Sequence, residues 1–211
     1  MTKIHGVTIR EDGRCLSTIG LAAHGQHELT VDAGDEDLLE GGKEFLETMI
    51  LYTMERQHIA PGETVEYGYW LTKFVEINPT LLETWEYDAE GTRFEKGASL
   101  ALRYWKEQHE MCQSAQSQFS PPRPDKLAAV AQGVFEGDSV DAVRYLPQGN
   151  MSGWCFFTDR YDGNIQSLKY EHLYHVTARR PDLAKYVALE PGFCFDLHDS
   201  QKVWFDRTAS K

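Results

Sequence analysis

The sequence predicts an α+β protein made of two small domains, each a mostly antiparallel sheet with packed helices. Three observations carry this prediction. Short runs of alternating apolar and polar residues are separated by glycine-containing turns, and two longer stretches change to helical spacing. Between the two halves lies "SAQSQFSPPRP", Ser114 to Pro124, which is polar, holds three prolines and lacks apolar periodicity. It is read as a linker, so the expected division is a first domain over 1–113, a linker over 114–124 and a second domain over 125–211. The 211 residues, 41% hydrophobic and 12% aromatic, are enough for cores that need no disulfide or metal staple.

In the first domain, "KIHGVTIREDGRCLSTIG" alternates on both sides of Asp12-Gly13, a dipeptide suited to a tight hairpin turn. "HELTVDA" predicts a third strand. From Asp35 the spacing becomes helical: Leu38, Leu39, Phe45, Leu46, Met49, Ile50 and Thr53 share one broad face, with acids in the first turn and Gly41-Gly42 expected to delay the start. Two aromatic-rich extended segments follow, "VEYGYWLTKFVEI" and "LLETWEYDAEGTRFE", the second folding back at Glu90-Gly91. Tyr67, Tyr69 and Trp70 are read as sheet residues packed under a helix. "GASLALRYWKEQHEMC" places Ala98, Ala101, Leu102, Trp105, His109 and Cys112 on one stripe, leaving Arg103, Lys106, Glu107 and Glu110 towards water.

In the second domain, "LAAVAQGVFEGDSVDAVRYL" predicts two strands joined by a turn at Glu136-Gly137-Asp138, and "NMSGWCFFTDRYDG" continues the sheet with Trp154 and Phe156 facing inward. "SLKYEHLYHVTA" predicts a helix stopped by the proline of "RRPDL". Pro191-Gly192 suits a type II turn, after which Phe193, Phe195 and Leu197 alternate, and "KVWFD" is a last short strand.

The charge balance bounds the partners. With 33 acidic against 21 basic residues the formal charge is −12, which disfavours nucleic acid as a ligand. Residues 1–113 hold 21 acidic against 10 basic residues, a charge of −11, whereas 125–211 hold 12 against 10, a charge of −2. Such a field serves solubility and steers a basic partner. The start "MTKIHGVTIREDG" has no apolar signal region and no run of about 18 apolar residues occurs, so a cytoplasmic protein without a membrane span is expected. Cys15, Cys112, Cys155 and Cys194 have no paired metal spacing and are read as buried thiols, without disulfides.

Catalytic chemistry finds no nominee, and none is expected. There is no "GxSxG" elbow, Ser152 in "MSGW" has no nominated base, and "LEGGKEF" lacks phosphate-loop spacing. His24 and His27 flank Gly25, which favours a loop over the helix that would align them. His172 and His175 lack a third ligand at a diagnostic spacing. No metal site is expected.

The ordered segments of the second domain carry a resemblance. "SGW" at Ser152 to Trp154 followed by Phe156 and Phe157, the helix leading to "PDLAKYVALEPGFCF", and Trp204 near the end resemble the immunity protein 33 family of bacterial polymorphic toxin systems. The resemblance covers roughly Ala128 to Asp206. Two departures are "TDRYDG", where the family has a more acidic glycine-containing stretch, and Cys194, where a larger residue is usual. The resemblance implies a small α+β domain, encoded beside a toxin, that neutralises it by binding, with no catalysis and no cofactor.

On that reading the partner is a cognate antibacterial toxin effector, basic and of nuclease type, because nucleases need basic surfaces that an acidic inhibitor can occupy. The candidate toxin-binding residues are Asp35, Glu36, Asp37 and Glu66 in the first domain and Asp159, Tyr161 and Asp162 in the second. Residues 1–113, which carry no resemblance, are the part suited to tell one toxin from another. The alternatives are an adaptor or chaperone that loads an effector without silencing it, and a small hydrolase with an interdomain site.

Overall fold

The computed structural model describes residues 3–55, 58–198 and 202–210. Its contacts divide the chain into two units, residues 1–106 and 107–211, each with its own sheet. The α+β class predicted from the sequence is the class observed.

In the first unit, β1 (Lys3–Ile4), β2 (Val7–Asp12), β3 (Cys15–Ile19) and β4 (Glu28–Asp32) form an antiparallel run. Gly13 supplies the left-handed turn expected of Asp12-Gly13, at φ 60°. After a single 3-10 turn at Glu36–Leu38, which buries Leu38, comes α1 (Leu39–Met54), which buries Phe45, Leu46, Met49, Ile50 and Thr53, while Leu39 is half-buried. Gly41-Gly42 lie inside this helix rather than before it. A Cβ on Gly42 would come 2.5 Å from Leu16 Cδ1, so this glycine is where the helix backbone approaches β3.

The segment "VEYGYWLTKFVEI" is two strands, β5 (Thr64–Tyr67) and β6 (Trp70–Asn78), because Gly68 at φ 60° turns the chain into a hairpin. β7 (Leu81–Tyr87) pairs antiparallel with β6 and parallel with β4, and β8 (Phe94–Lys96) returns along the far end of β7. The sheet order is β1-β2-β3-β4-β7-β6-β5. Both helices lie on one of its faces: Phe45 of α1 meets the rings of Tyr67 and Phe74, and Trp105 of α2 (Ser99–Ala115) stacks on Tyr67 at 4.3 Å. The start of α2 is capped from the sheet. Buried Glu86 accepts from the N–H groups of Leu100 (2.9 Å) and Ala101 (2.6 Å), which satisfies helix donors with a charge that the helix dipole favours. Burial nonetheless raises the Glu86 pKa above the ordinary carboxylate value.

In the second unit the end of α2 buries Gln108, whose Nε2 donates to Ala184 O at 2.9 Å. The helix closes at Gln116, at φ 56°, with Ser117 N–H donating to Cys112 O. Phe119 then makes an antiparallel bridge with Leu189, and Ser120 N–H donates to Ala188 O. The sheet contains β9 (Leu127–Val130), β10 (Asp141–Arg144), β11 (Met151–Phe157), β12 (Lys169–His172), β13 (Phe193–Asp196) and β14 (Lys202–Phe205), in the order β12-β9-β11-β10-β13-β14.

Two expectations are corrected here. β9 and β10 are not a hairpin: the intervening loop closes on Gly133 O, which accepts from Glu136 and Asp138 N–H. The more apolar β11, with Trp154 and Phe156 fully buried, takes the place between them, parallel to β9. Likewise Lys169–His172 is a strand, because the open edge of β9 satisfies its backbone groups. The helix α3 (Leu173–Arg179) begins only at Leu173 and ends ahead of Pro181, where a 3-10 turn over Pro181–Tyr186 follows.

One buried side chain ties this unit together. Arg144 is 2% exposed, and its Nη1 donates to the carbonyls of Ser120, Val187 and Leu189 while Nε donates to Ser152 O. Burial pulls its pKa down to about 10, so it stays protonated at neutral pH. Replacing it by methionine withdraws this donor from the four carbonyls, of which Val187 O keeps Trp154 Nε1, and the Arg144→Met variant is expected to lose about 3 kcal/mol or more in chemical denaturation. Glycine substitutions give an independent check of β11. Gly153 has φ +88° and a Cβ there would come 2.1 Å from Tyr145 O, whereas Gly163, at φ +77°, faces open space. Gly153→Ala is expected to cost about 3 kcal/mol or more and Gly163→Ala only about 1 kcal/mol; equal losses would show that positive φ alone governs both.

Candidate interaction surface

Strand alternation gives the second sheet two unlike faces. The inner one carries Trp154, Phe156, Ala142, Arg144 and Phe195, and the 181–190 segment covers it: Tyr186 stacks on Phe195 at 4.2 Å and Trp154 Nε1 donates to Val187 O at 3.0 Å. On the other face the register aligns Tyr170, Ala129, Cys155, Val143, Cys194 and Trp204 in one row across all six strands. The ends of this row are open, with Tyr170 56% and Trp204 45% exposed, and Val143 and Cys155 in its middle are half-buried. Tyr145, 47% exposed, continues β10 on the same face, its N–H donating to Gly153 O.

One end of this face is acidic. The next row aligns Phe157, Asp141, Asp196 and Lys202. His198, two residues past β13, sits among three carboxylates: Nδ1 is 2.9 Å from Asp196 and 3.4 Å from Asp141, and Nε2 is 3.4 Å from Asp159. The hydrogen bond to Asp196 raises the His198 pKa above the ordinary histidine value, with the charges of Asp141 and Asp159 acting the same way. Asp196 is lowered, first by the N–H of His198, while burial and then the Asp196 charge raise Asp141.

Among the described residues, Asp141, Asp196 and His198 are also the one trio of metal-ligand type whose ligand atoms come within 4.8 Å of one another. Their mutual hydrogen bonds already occupy Nδ1. Of the histidine pairs weighed in the sequence, His24 Nε2 meets His5 O, His172 Nδ1 meets Asp125 O and His175 meets Glu171, while His27 lies beside the ring of His58 with its Nδ1 buried and unpaired. Cys15, read as a buried thiol, is exposed at the start of β3. Ser152 is buried and donates to Leu127 O, so its hydroxyl helps hold β9 against β11.

The structure distributes the candidate residues read from the sequence. Asp159 is 91% exposed and joins the His198 cluster, whereas the Tyr161 ring lies tilted against Phe157 with centroids 4.9 Å apart. Asp162 accepts from Asn164 N–H and Ser167 Oγ, which shapes the loop and lowers its pKa. Asp35 and Asp37 pair with Arg103 (2.7 Å) and Lys106 (3.5 Å) of α2, with Glu36 exposed between them, and Glu66 is exposed on β5. Sequence reasoning missed Asp141, Asp196 and His198. A period-two reading carries the signal, since Asp141, Val143 and Tyr145 alternate outward as do Cys194 and Asp196.

The second sheet is thus covered on one face and carries aromatic side chains and an acidic end on the other. Residues 107–206 match the family model of the Imm33-like domain. The match begins in α2, ahead of the Ala128 start of the resemblance read from the sequence, and takes in nearly the whole second unit. No curated protein and no solved structure matches the chain. Among the described residues no helix is long and apolar enough to cross a membrane.

The His198 cluster fixes a pH dependence. A histidine raised in the folded state contributes stability fully below its unfolded value near 6.5, and loses it as pH rises through the higher folded value. An NMR titration should place the His198 midpoint above the ordinary histidine value, and Asp196→Asn should bring it down. A midpoint at or below the ordinary value would contradict the clustered geometry.

Proposed function

We propose that this chain is an immunity protein that binds and neutralises a cognate antibacterial toxin in the cytoplasm. The observation that carries the reading is the match of residues 107–206 to the Imm33-like domain. The −12 charge supports a basic toxin, and a nuclease, which must present a basic surface to its substrate, is the toxin class best matched to it. On this reading the first unit steers the encounter through Asp35, Glu36, Asp37 and Glu66, and contributes the choice among toxins. Inhibition proceeds by binding, with neither catalysis nor a cofactor required of the chain.

The test is growth of a host expressing the gene product encoded next to this one, with and without this chain, followed by a pull-down of the pair. Rescue with a stable complex is expected. Rescue without a complex would point to enzymatic reversal, and a complex without rescue to an adaptor. With the pair in hand, replacing Asp35, Glu36 and Asp37 by lysine is expected to slow association several-fold and flatten its salt dependence, because long-range charge acts mainly on the encounter. An unchanged association rate would remove this patch from the steering role.

A further inference from the structure

We infer that the open face of the second sheet is the surface that docks the toxin, with an arginine or lysine of the toxin seated among Asp141, Asp159 and Asp196 and its apolar neighbours laid along the row towards Tyr170. The inference rests on the immunity reading and adds to it the surface and the chemistry of the segment recognised.

Three features of the face support it. First, the inner face is filled by Tyr186, Val187 and their neighbours, while on the other side the half-buried Val143 and Cys155, flanked by the buried Ala129 and Cys194, form an apolar centre. Second, its rim is made of Trp204, Tyr145 and Tyr170, the residue types that dominate binding hot spots because each brings a large rigid area with a polar tip. Third, the charge at the end is unbalanced. The three carboxylates converge on one imidazole, and the cation aligned with them is Lys202, paired in register with Asp196 at the sheet edge. A guanidinium entering there would meet carboxylate oxygens already oriented by the sheet and an aromatic surface beside them, the two partners arginine uses best. Charge complementarity therefore selects a basic protein segment over an acidic or purely apolar one.

This division of labour separates kinetically from steering by the first unit. Contacts desolvated in the complex govern dissociation, while distant charges govern association. The experiment measures binding of the full-length chain to the gene product encoded beside it, purified from co-expression. Asp159→Lys and Trp204→Ala are compared with wild type, and far-UV circular dichroism and thermal unfolding check that each folds. Both side chains are exposed enough to be replaced without opening the core. Each variant is expected to weaken the complex at least tenfold, chiefly through faster dissociation, and Tyr170→Ala to weaken it in the same way. Wild-type affinity in folded Asp159→Lys and Trp204→Ala would overturn the docking surface while leaving the immunity reading intact. Absence of any complex with wild type would overturn that reading and this surface with it. Sedimentation supplies the remaining arm: a wild-type dimer that Trp204→Ala converts to monomer would assign the face to a second copy of the chain and overturn the inference.

Discussion

The second unit depends on how a cation is buried at Arg144. Its guanidinium gathers carbonyls from Ser120, Ser152, Val187 and Leu189, which come from three separate stretches of chain. None of those segments forms a regular element at its contact point except β11, so the arginine supplies donors to these carbonyls, joined at Val187 O by Trp154 Nε1. A carboxylate partner would have neutralised the arginine at a single point. Distributing its donors over neutral carbonyls instead lets one side chain fix the ceiling of the sheet, and with that ceiling in place Trp154 and Phe156 have something to pack against. The cost is desolvation, visible in the lowered pKa.

The first unit solves a similar problem with the opposite charge. Helix α2 begins against the sheet, and its free N–H groups find Glu86 on β7 in place of a local capping residue. Glu28 acts likewise on β4, accepting from Gly20 and Ala22 N–H and from Thr18 Oγ1. Some of the acidic excess is therefore spent on backbone donors. Charge also resides in exposed groups such as Glu36.

What was legible in the sequence follows from how local each signal is. Turns with a glycine at positive φ, such as Asp12-Gly13 and Pro191-Gly192, and the helical stripe of Phe45, Met49 and Ile50, are written within a few residues and were read correctly. Strand neighbours are not local. β9 and β10 look like a hairpin because nothing between them announces that a strand twenty residues later will be more apolar and displace one from the other. Lys169–His172 shows helical spacing because the edge that claims it lies forty residues upstream. The acidic cluster was legible only in part for the same reason: Asp159 was selected, but Asp141, Asp196 and His198 converge from separate elements. Buried Tyr104 and Gln108 escaped the stripe read for α2 because that helix is covered over a wider arc than one face.

A sheet that leaves aromatic residues in solvent invites copies of the same chain to pair strand against strand. The sheet ends at β12 and β14, and both of these outermost strands begin with an exposed lysine, Lys169 and Lys202. A lysine on an edge strand would have to be stripped of water for another strand to align alongside it. The chain can therefore hold its broad surface available at high concentration while its borders resist fibre-like growth, so that sticking is confined to the direction perpendicular to the sheet.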